Sequence, residues 1–193
     1  ALSIEGENVK NIQAEAKFLA ALAYYNLVAV YGENIAYVDR IQEASDFPRR
    51  ADKGEIYDLV ENLLVEAIPE LRIASQYSES DYGRVTKGAA QSLLAKVYMH
   101  QQNFVDAEPL LQSVIESNEY ELLSSYADNF SENNVINKEA VFVINFLHDG
   151  PAVETNRHVR HQGFSPREKL GTYGDIQPTQ FVYESFQQEL DVD

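Results

Sequence analysis

From Val9 to Tyr31 the apolar and small residues Ile12, Ala16, Leu19, Ala23, Leu27 and Val30 recur at spacings of three and four, the period of an α-helix. A second stripe, Phe18, Leu22, Tyr25 and Ala29, runs beside the first. The C-terminal half is thereby apolar over much of its circumference, which places it between two neighbours. Gly32 suits the C-terminal cap. The Tyr24-Tyr25 pair inside this helix reads as core, not as an exposed aromatic platform.

Three further helices follow from the same arithmetic. The second starts near Gly54 and carries Ile56, Leu59, Val60, Leu63, Leu64, Ala67 and Ile68 on one side. Pro69 should kink or stop it, lacking an amide hydrogen and clashing with the carbonyl four residues back. Thr86 is the N-cap expected for a third helix, Lys87 to Gln101, whose buried face holds Ala90, Leu93, Leu94, Val97 and Tyr98. His100, near its end, suits the helix dipole. Asn103 precedes a fourth, with Phe104, Ala107, Leu111, Val114 and Ile115 in register and a bend expected at Pro109.

Between helices one and two, Glu33 to Lys53 reads as a long loop, of a length that usually serves a purpose. After Ser117 the pattern changes. Tyr120-Glu121-Leu122-Leu123 is short enough to be extended, and Val141 to Phe146 is a β-branched and aromatic run of strand length. Leu147 to Gly174 has no sustained period, and Pro178 to Asp193 is again helical, with Phe181, Val182, Ser185 and Phe186 on one side. The expected organisation is one mainly α domain. Helix pairs occupy 1–118, a strand and irregular loops 119–177, and a C-terminal helix 178–193.

Charge and residue usage narrow the function. With 31 acidic and 15 basic side chains the net charge is −16, which opposes nucleic acid and anionic lipid. No stretch approaches a membrane span, and Ala1 to Glu5 lacks the basic and apolar regions of a signal peptide. The absence of cysteine excludes disulfides, thiolate metal sites and cysteine nucleophiles. None of HExxH, GxSxG, a phosphate loop or GxGxxG occurs, so no catalytic residues and no cofactor are assigned.

Helices three and four fit the tetratricopeptide pattern of about 34 residues. Leu94-Ala95 followed by Tyr98 matches its first helix, and Ala107 followed by Leu111 matches its second. The small residues let two helices approach closely, while Tyr98 and Leu111 fill the groove towards a neighbouring repeat. Helices one and two echo this with Ala67 and Leu71, interrupted by the 33–53 insertion. On this pattern alone the chain could be a module that grips a peptide.

A longer set of residues is more specific. Ala14-Glu15-Ala16-Lys17-Phe18-Leu19-Ala20-Ala21-Leu22-Ala23-Tyr24-Tyr25, then Leu27-Val28 and Tyr31-Gly32, resembles the signature helix of the SusD/RagB family. Glu55-Ile56-Tyr57, Gly83-Arg84-Val85-Thr86-Lys87-Gly88-Ala89-Ala90, Leu94 to Tyr98, Glu139-Ala140-Val141-Phe142 and Pro178-Thr179 with Phe181-Val182 and Phe186 keep the family order. Lys17 stands where arginine is usual, and family members are more than twice as long. The resemblance implies the central portion of a non-enzymatic, surface-exposed outer-membrane lipoprotein of the Bacteroidota. It also implies an oligosaccharide or other nutrient as ligand, a TonB-dependent (SusC-like) transporter as partner, and a signal and lipid-bearing cysteine upstream.

A sugar site needs flat apolar faces together with amide, carboxylate or guanidinium groups. Between Gly150 and Leu170 lie Arg157, Arg160, Arg167 and Lys169 against Glu154 and Glu168, a local charge of +2, with His158 and His161 among them and His148 just before. Arg157, His158, His161, Phe164 and Tyr173 are the candidate ligand contacts. The alternative is that the bases pair with the acidic scaffold and Tyr173 packs beneath the loop. His158 and His161 have metal-like spacing but no third ligand, so no metal is assigned. Tyr77 and Tyr82, beside Ser78, Glu79, Ser80 and Asp81, are a second candidate, or else exposed linker tyrosines.

Overall fold

The computed structural model describes residues 7–38, 40, 43, 45–131, 134 and 137–144. Among the described residues four helices carry the fold: α1 (Glu7–Tyr31), α2 (Glu55–Ala67), α3 (Lys87–His100) and α4 (Phe104–Glu116). Short 3-10 turns occupy Ala74–Gln76, Glu79–Asp81 and Tyr126–Phe130. These elements belong to a compact unit spanning Ala1–Val143; a second unit begins at Ile144. The helix expected over 178–193 and the irregular segment before it lie outside the described residues.

Capping chemistry sets the helix ends. Thr86 adopts an extended conformation and its hydroxyl accepts from the Ala89 amide at 3.1 Å, so α3 starts where the sequence places it. Asn103 caps α4 more loosely, accepting from Asp106 at 3.5 Å. Gly54 precedes α2 at φ +84°, a left-handed conformation that suits glycine, and donates its amide to Glu33 at 2.6 Å. Beyond Ala67, Ile68 still bonds back to Leu64; Pro69 has no amide hydrogen to give, and the amides of Glu70 and Leu71 both turn onto Ala67 O. Pro109 does not end α4, which continues to Glu116.

Side-chain ties define the packing. Lys10 lies 3.7 Å from Glu70 and Lys17 2.6 Å from Glu66, so the start of α1 meets the end of α2 and the two run antiparallel. The three-residue link 101–103 similarly folds α4 back on α3. The core takes Ala14, Phe18, Ala21, Tyr25 and Val28 from α1, Ile56, Val60, Leu64 and Ala67 from α2, and Ala89, Ala90, Leu93, Leu94 and Val97 from α3. Ala95 and Ala107 are buried where α3 and α4 approach, as the repeat pattern requires. Tyr98 is half-buried and donates its hydroxyl to Glu61 at 2.7 Å, linking the second helix pair to α2. Tyr25 is core, as expected, and His100 meets both Tyr25 and Tyr57 edge-on.

The face of α1 that is buried differs from the one the first stripe suggests. Ile12, Ala16, Leu19, Ala23, Leu27 and Val30 are all exposed to solvent among the described residues. The buried row is Asn11, Ala14, Phe18, Ala21, Tyr25 and Val28. Both rows have helical period, and only the position of α2 and α3 decides between them. The run Val141–Val143 also departs from expectation, because it forms no strand. Strand side chains alternate between faces. Here Val141 and Phe142 both pack on the helical core, and the Phe142 ring meets Phe18 edge-on at 5.0 Å.

The 33–53 connection closes on itself through one antiparallel bridge, Ala36 with Arg50, flanked by Tyr37 N–H to Arg49 O at 2.9 Å and Ala51 N–H to Ile35 O at 2.8 Å. The Tyr24 hydroxyl donates to Val38 O at 2.6 Å and accepts from Val38 N at 2.9 Å. Arg49 lies 4.8 Å over the Tyr37 ring and grips Glu55 with two nitrogens. Those hydrogen bonds, then one from the Asp52 amide, pull the Glu55 carboxyl down to about 2.

The two stripes of α1 should separate cleanly in chemical denaturation. Phe18→Ala, at 2% exposure, should cost about 3–5 kcal/mol. Leu19→Ala, at 50% exposure, should change stability by about 0.5 kcal/mol or less.

Candidate functional site

The site grows from a polar group inside the helical core. Asn11 is 4% exposed, and its amide must be satisfied. Its nitrogen donates to Glu15 at 2.7 Å, and its oxygen accepts the Arg72 amide at 3.1 Å. Glu15 in turn receives two bonds from the Arg84 guanidinium, Nε to Oε1 at 3.1 Å and Nη2 to Oε2 at 3.0 Å. The Tyr77 hydroxyl sits among these groups, 3.0 Å from Glu15, 3.0 Å from Val85 O and 3.0 Å from the Asn11 nitrogen. Burial pushes this hydroxyl above its ordinary value. Arg72 and Arg84 flank its ring at 5.9 and 5.7 Å. The connection from α2 to α3 is therefore pinned to α1 at its middle. Gly83, at φ +96°, makes the turn that delivers Arg84.

The far side is tied in by residues 119–120. Glu119 accepts from the Ser75 amide at 2.7 Å and its hydroxyl at 2.9 Å. The Tyr120 hydroxyl bonds Thr86 Oγ1 at 2.6 Å, so the residue that caps α3 also anchors this ring. Gly88 lies beneath the ring; a Cβ there would fall 2.5 Å from Tyr120 Cε2, so a side chain at this position would have to displace the ring. Asn137 turns the last described stretch by accepting from the Glu139 and Ala140 amides, both at 3.0 Å.

Together these ties leave a cleft of about 230 Å³. Tyr77, Tyr82, Tyr120 and Phe142 supply aromatic surface, Arg84 and Lys138 positive charge, and Glu79, Asp81 and Glu119 carboxylates. The volume is below the roughly 300 Å³ at which pockets for drug-sized ligands begin, and matches one ring at a time of a larger ligand. Ring faces receive apolar C–H surface, and carboxylates accept from hydroxyls. Among the described residues no group of His, Asp and Glu is placed to hold a metal ion.

Tyr82 lines this cleft half-buried, and Tyr77 is an internal brace, so neither is a free linker tyrosine. Arg157, His158, His161, Phe164 and Tyr173 lie outside the described residues. Tyr120 carried no functional assignment from sequence. The available signal was Gly88, a helix-weakening residue on a buried face of α3 that marks close approach by another group.

Antiparallel helix pairs whose connections enclose a small cleft define a helix-pair scaffold. The chain belongs to the SusD-like family, whose model, described as starch-binding associating with outer membrane, matches residues 2–99. It is 32% identical over 148 residues to SusD-like protein P25 of Formosa agariphila, covering 76% of this chain and 28% of that protein. A laminarin-binding SusD-like protein of known structure superposes with a TM-score of 0.67 at 31% identity, over 72% of this chain and 32% of the other. Surface glycan-binding protein A of Bacteroides thetaiotaomicron, in complex with laminarihexaose, superposes at 0.65 with 25% identity, over 77% of this chain and 31% of its own. The chain thus spans about a third or less of the length of these relatives.

Tyr77→Phe should destabilise the fold by about 1–2 kcal/mol in urea unfolding, because it strips a partner from Asn11 and Glu15. Tyr126→Phe, at an exposed ring, should leave the transition unchanged.

Proposed function

We propose that this chain is the helical portion of a surface glycan-binding protein that captures an oligosaccharide without transforming it. In this reading it is held at the outer membrane by a lipid anchor and passes ligand to a TonB-dependent, SusC-like transporter. The observation that carries it is the tyrosine-lined cleft with carboxylates at its rim, in a chain of the SusD-like family. Laminarin and laminarihexaose, bound by two of the relatives, make β-glucan oligosaccharides the first ligands to try. An aromatic and acidic cleft suits stacking against a sugar ring and accepting from its hydroxyls.

The segment beyond the cleft supplies our second set of proposed contacts. Arg157, His158, His161, Phe164 and Tyr173 combine donors and ring faces in a stretch of local charge +2. Guanidinium and imidazole groups there would donate to sugar oxygens, and the two rings would cover C–H faces.

Calorimetry with laminarihexaose should give a saturable heat, and Tyr82→Ala and Tyr173→Ala should each weaken binding about three- to tenfold, the loss of one aromatic contact. Tight binding of peptides with no response to any glycan would replace this reading with that of a peptide-gripping repeat module.

A further inference from the structure

We infer that the cleft bounded by Glu79, Asp81, Tyr82, Tyr120 and Lys138 accepts a neutral, hydroxyl-bearing sugar ring and turns away uronic-acid and sulfated sugars. The inference rests on the glycan-binding reading above and goes beyond it, to the charge class of the ligand. It follows from which polar groups at the cleft are already engaged.

The two cations at the cleft are held unequally, Arg84 firmly and the exposed Lys138 only by a long contact. Arg84 directs its guanidinium at Glu15 through two hydrogen bonds and lies 3.6 Å from Asp81. Lys138 has its Nζ 3.8 Å from Glu121. A ligand carboxylate or sulfate would have to compete for them, and releasing Arg84 would strip the two-pronged partner from Glu15, whose side chain is 16% exposed.

The anions are more available. Glu79 is exposed at the rim, and its carboxylate has no hydrogen-bond or ion-pair partner among the described residues. Asp81 accepts from the Ser78 hydroxyl at 2.7 Å, and that bond, together with Arg84, holds its carboxyl below the usual range, so it stays ionised at neutral pH. Glu119 is bonded to Ser75 and adds a third negative charge.

An ionised carboxylate only accepts hydrogen bonds, so the rim asks its ligand for donors. Sugar hydroxyls donate; uronate and sulfate oxygens do not. Beside the tyrosine rings this acceptor-rich edge fits the ring face and equatorial hydroxyls of a neutral pyranose. An anionic substituent meets like charge at close range, inside a chain whose net charge is −16.

The test is calorimetry on the 193-residue chain with neutral hexasaccharides (laminarihexaose, maltohexaose) against anionic ones (hexaguluronate, a carrageenan hexasaccharide). At low salt at least one neutral sugar should bind, and the anionic ones should bind about tenfold or more weakly, with the gap shrinking as salt screens the rim. Glu79→Lys, checked for retained helicity, should narrow the gap by about threefold or more, equivalent to removing one repulsion and adding one attraction. Uronate or sulfated sugars binding as tightly as neutral ones, or a ratio that Glu79→Lys leaves unchanged, overturns the charge selection while the glycan-binding reading stands. No heat with any of the sugars overturns both.

Discussion

The Glu15 carboxylate, gripped by both arms of Arg84 and by the buried amide of Asn11, is the tie on which the arrangement of the helix pairs depends. Apolar packing alone would let the 19-residue connection between α2 and α3 settle in many ways over α1. A buried polar cluster accepts far fewer, because each displaced group leaves another unsatisfied. Once Glu15 is paired, Tyr77 stands between Arg72 and Arg84, Val85 and Thr86 are buried, and α3 starts one residue later. Thr86 then caps the helix and holds Tyr120, which brings the chain after α4 back to the same place. The cleft is the space left among these ties.

This explains what the signature residues do. Glu15 and Phe18 belong to the α1 motif, and Gly83, Arg84, Thr86 and Gly88 to the motif that opens α3, some seventy residues further along the chain. In the structure they brace one another: Glu15 with Arg84, Phe18 with Phe142, Thr86 and Gly88 with Tyr120. The family is thus recognised through its scaffold, while the cleft is lined by connections such as 78–82 and 137–140.

The helices were legible in the sequence because their signals are local. Thr86 and Asn103 mark starts, Pro69 marks a stop, and the tetratricopeptide spacing picks out Ala95 and Ala107 as closely packed. The orientation of α1 was not legible. Ile12, Leu19 and Val30 repeat as regularly as Ala14, Phe18 and Tyr25, and periodicity cannot say which row meets α2. Val141 and Phe142 misled for a related reason: β-branched and aromatic residues favour strands only where a partner strand exists, and here the helical core takes both side chains. Tyr77 was visible as a candidate but not as a brace, since its partners Asn11 and Glu15 lie more than sixty residues away.

If the Glu15–Arg84 pair is the tie that sets this architecture, the two residues must be strongly coupled. A double-mutant cycle with Glu15→Gln, Arg84→Gln and the double variant, read by urea unfolding, measures that coupling directly. The account predicts an interaction of about 1–2 kcal/mol, moderated by the partial exposure of Arg84. Additive effects, to within about 0.3 kcal/mol, would contradict it and leave apolar packing to position the second helix pair without the ion pair.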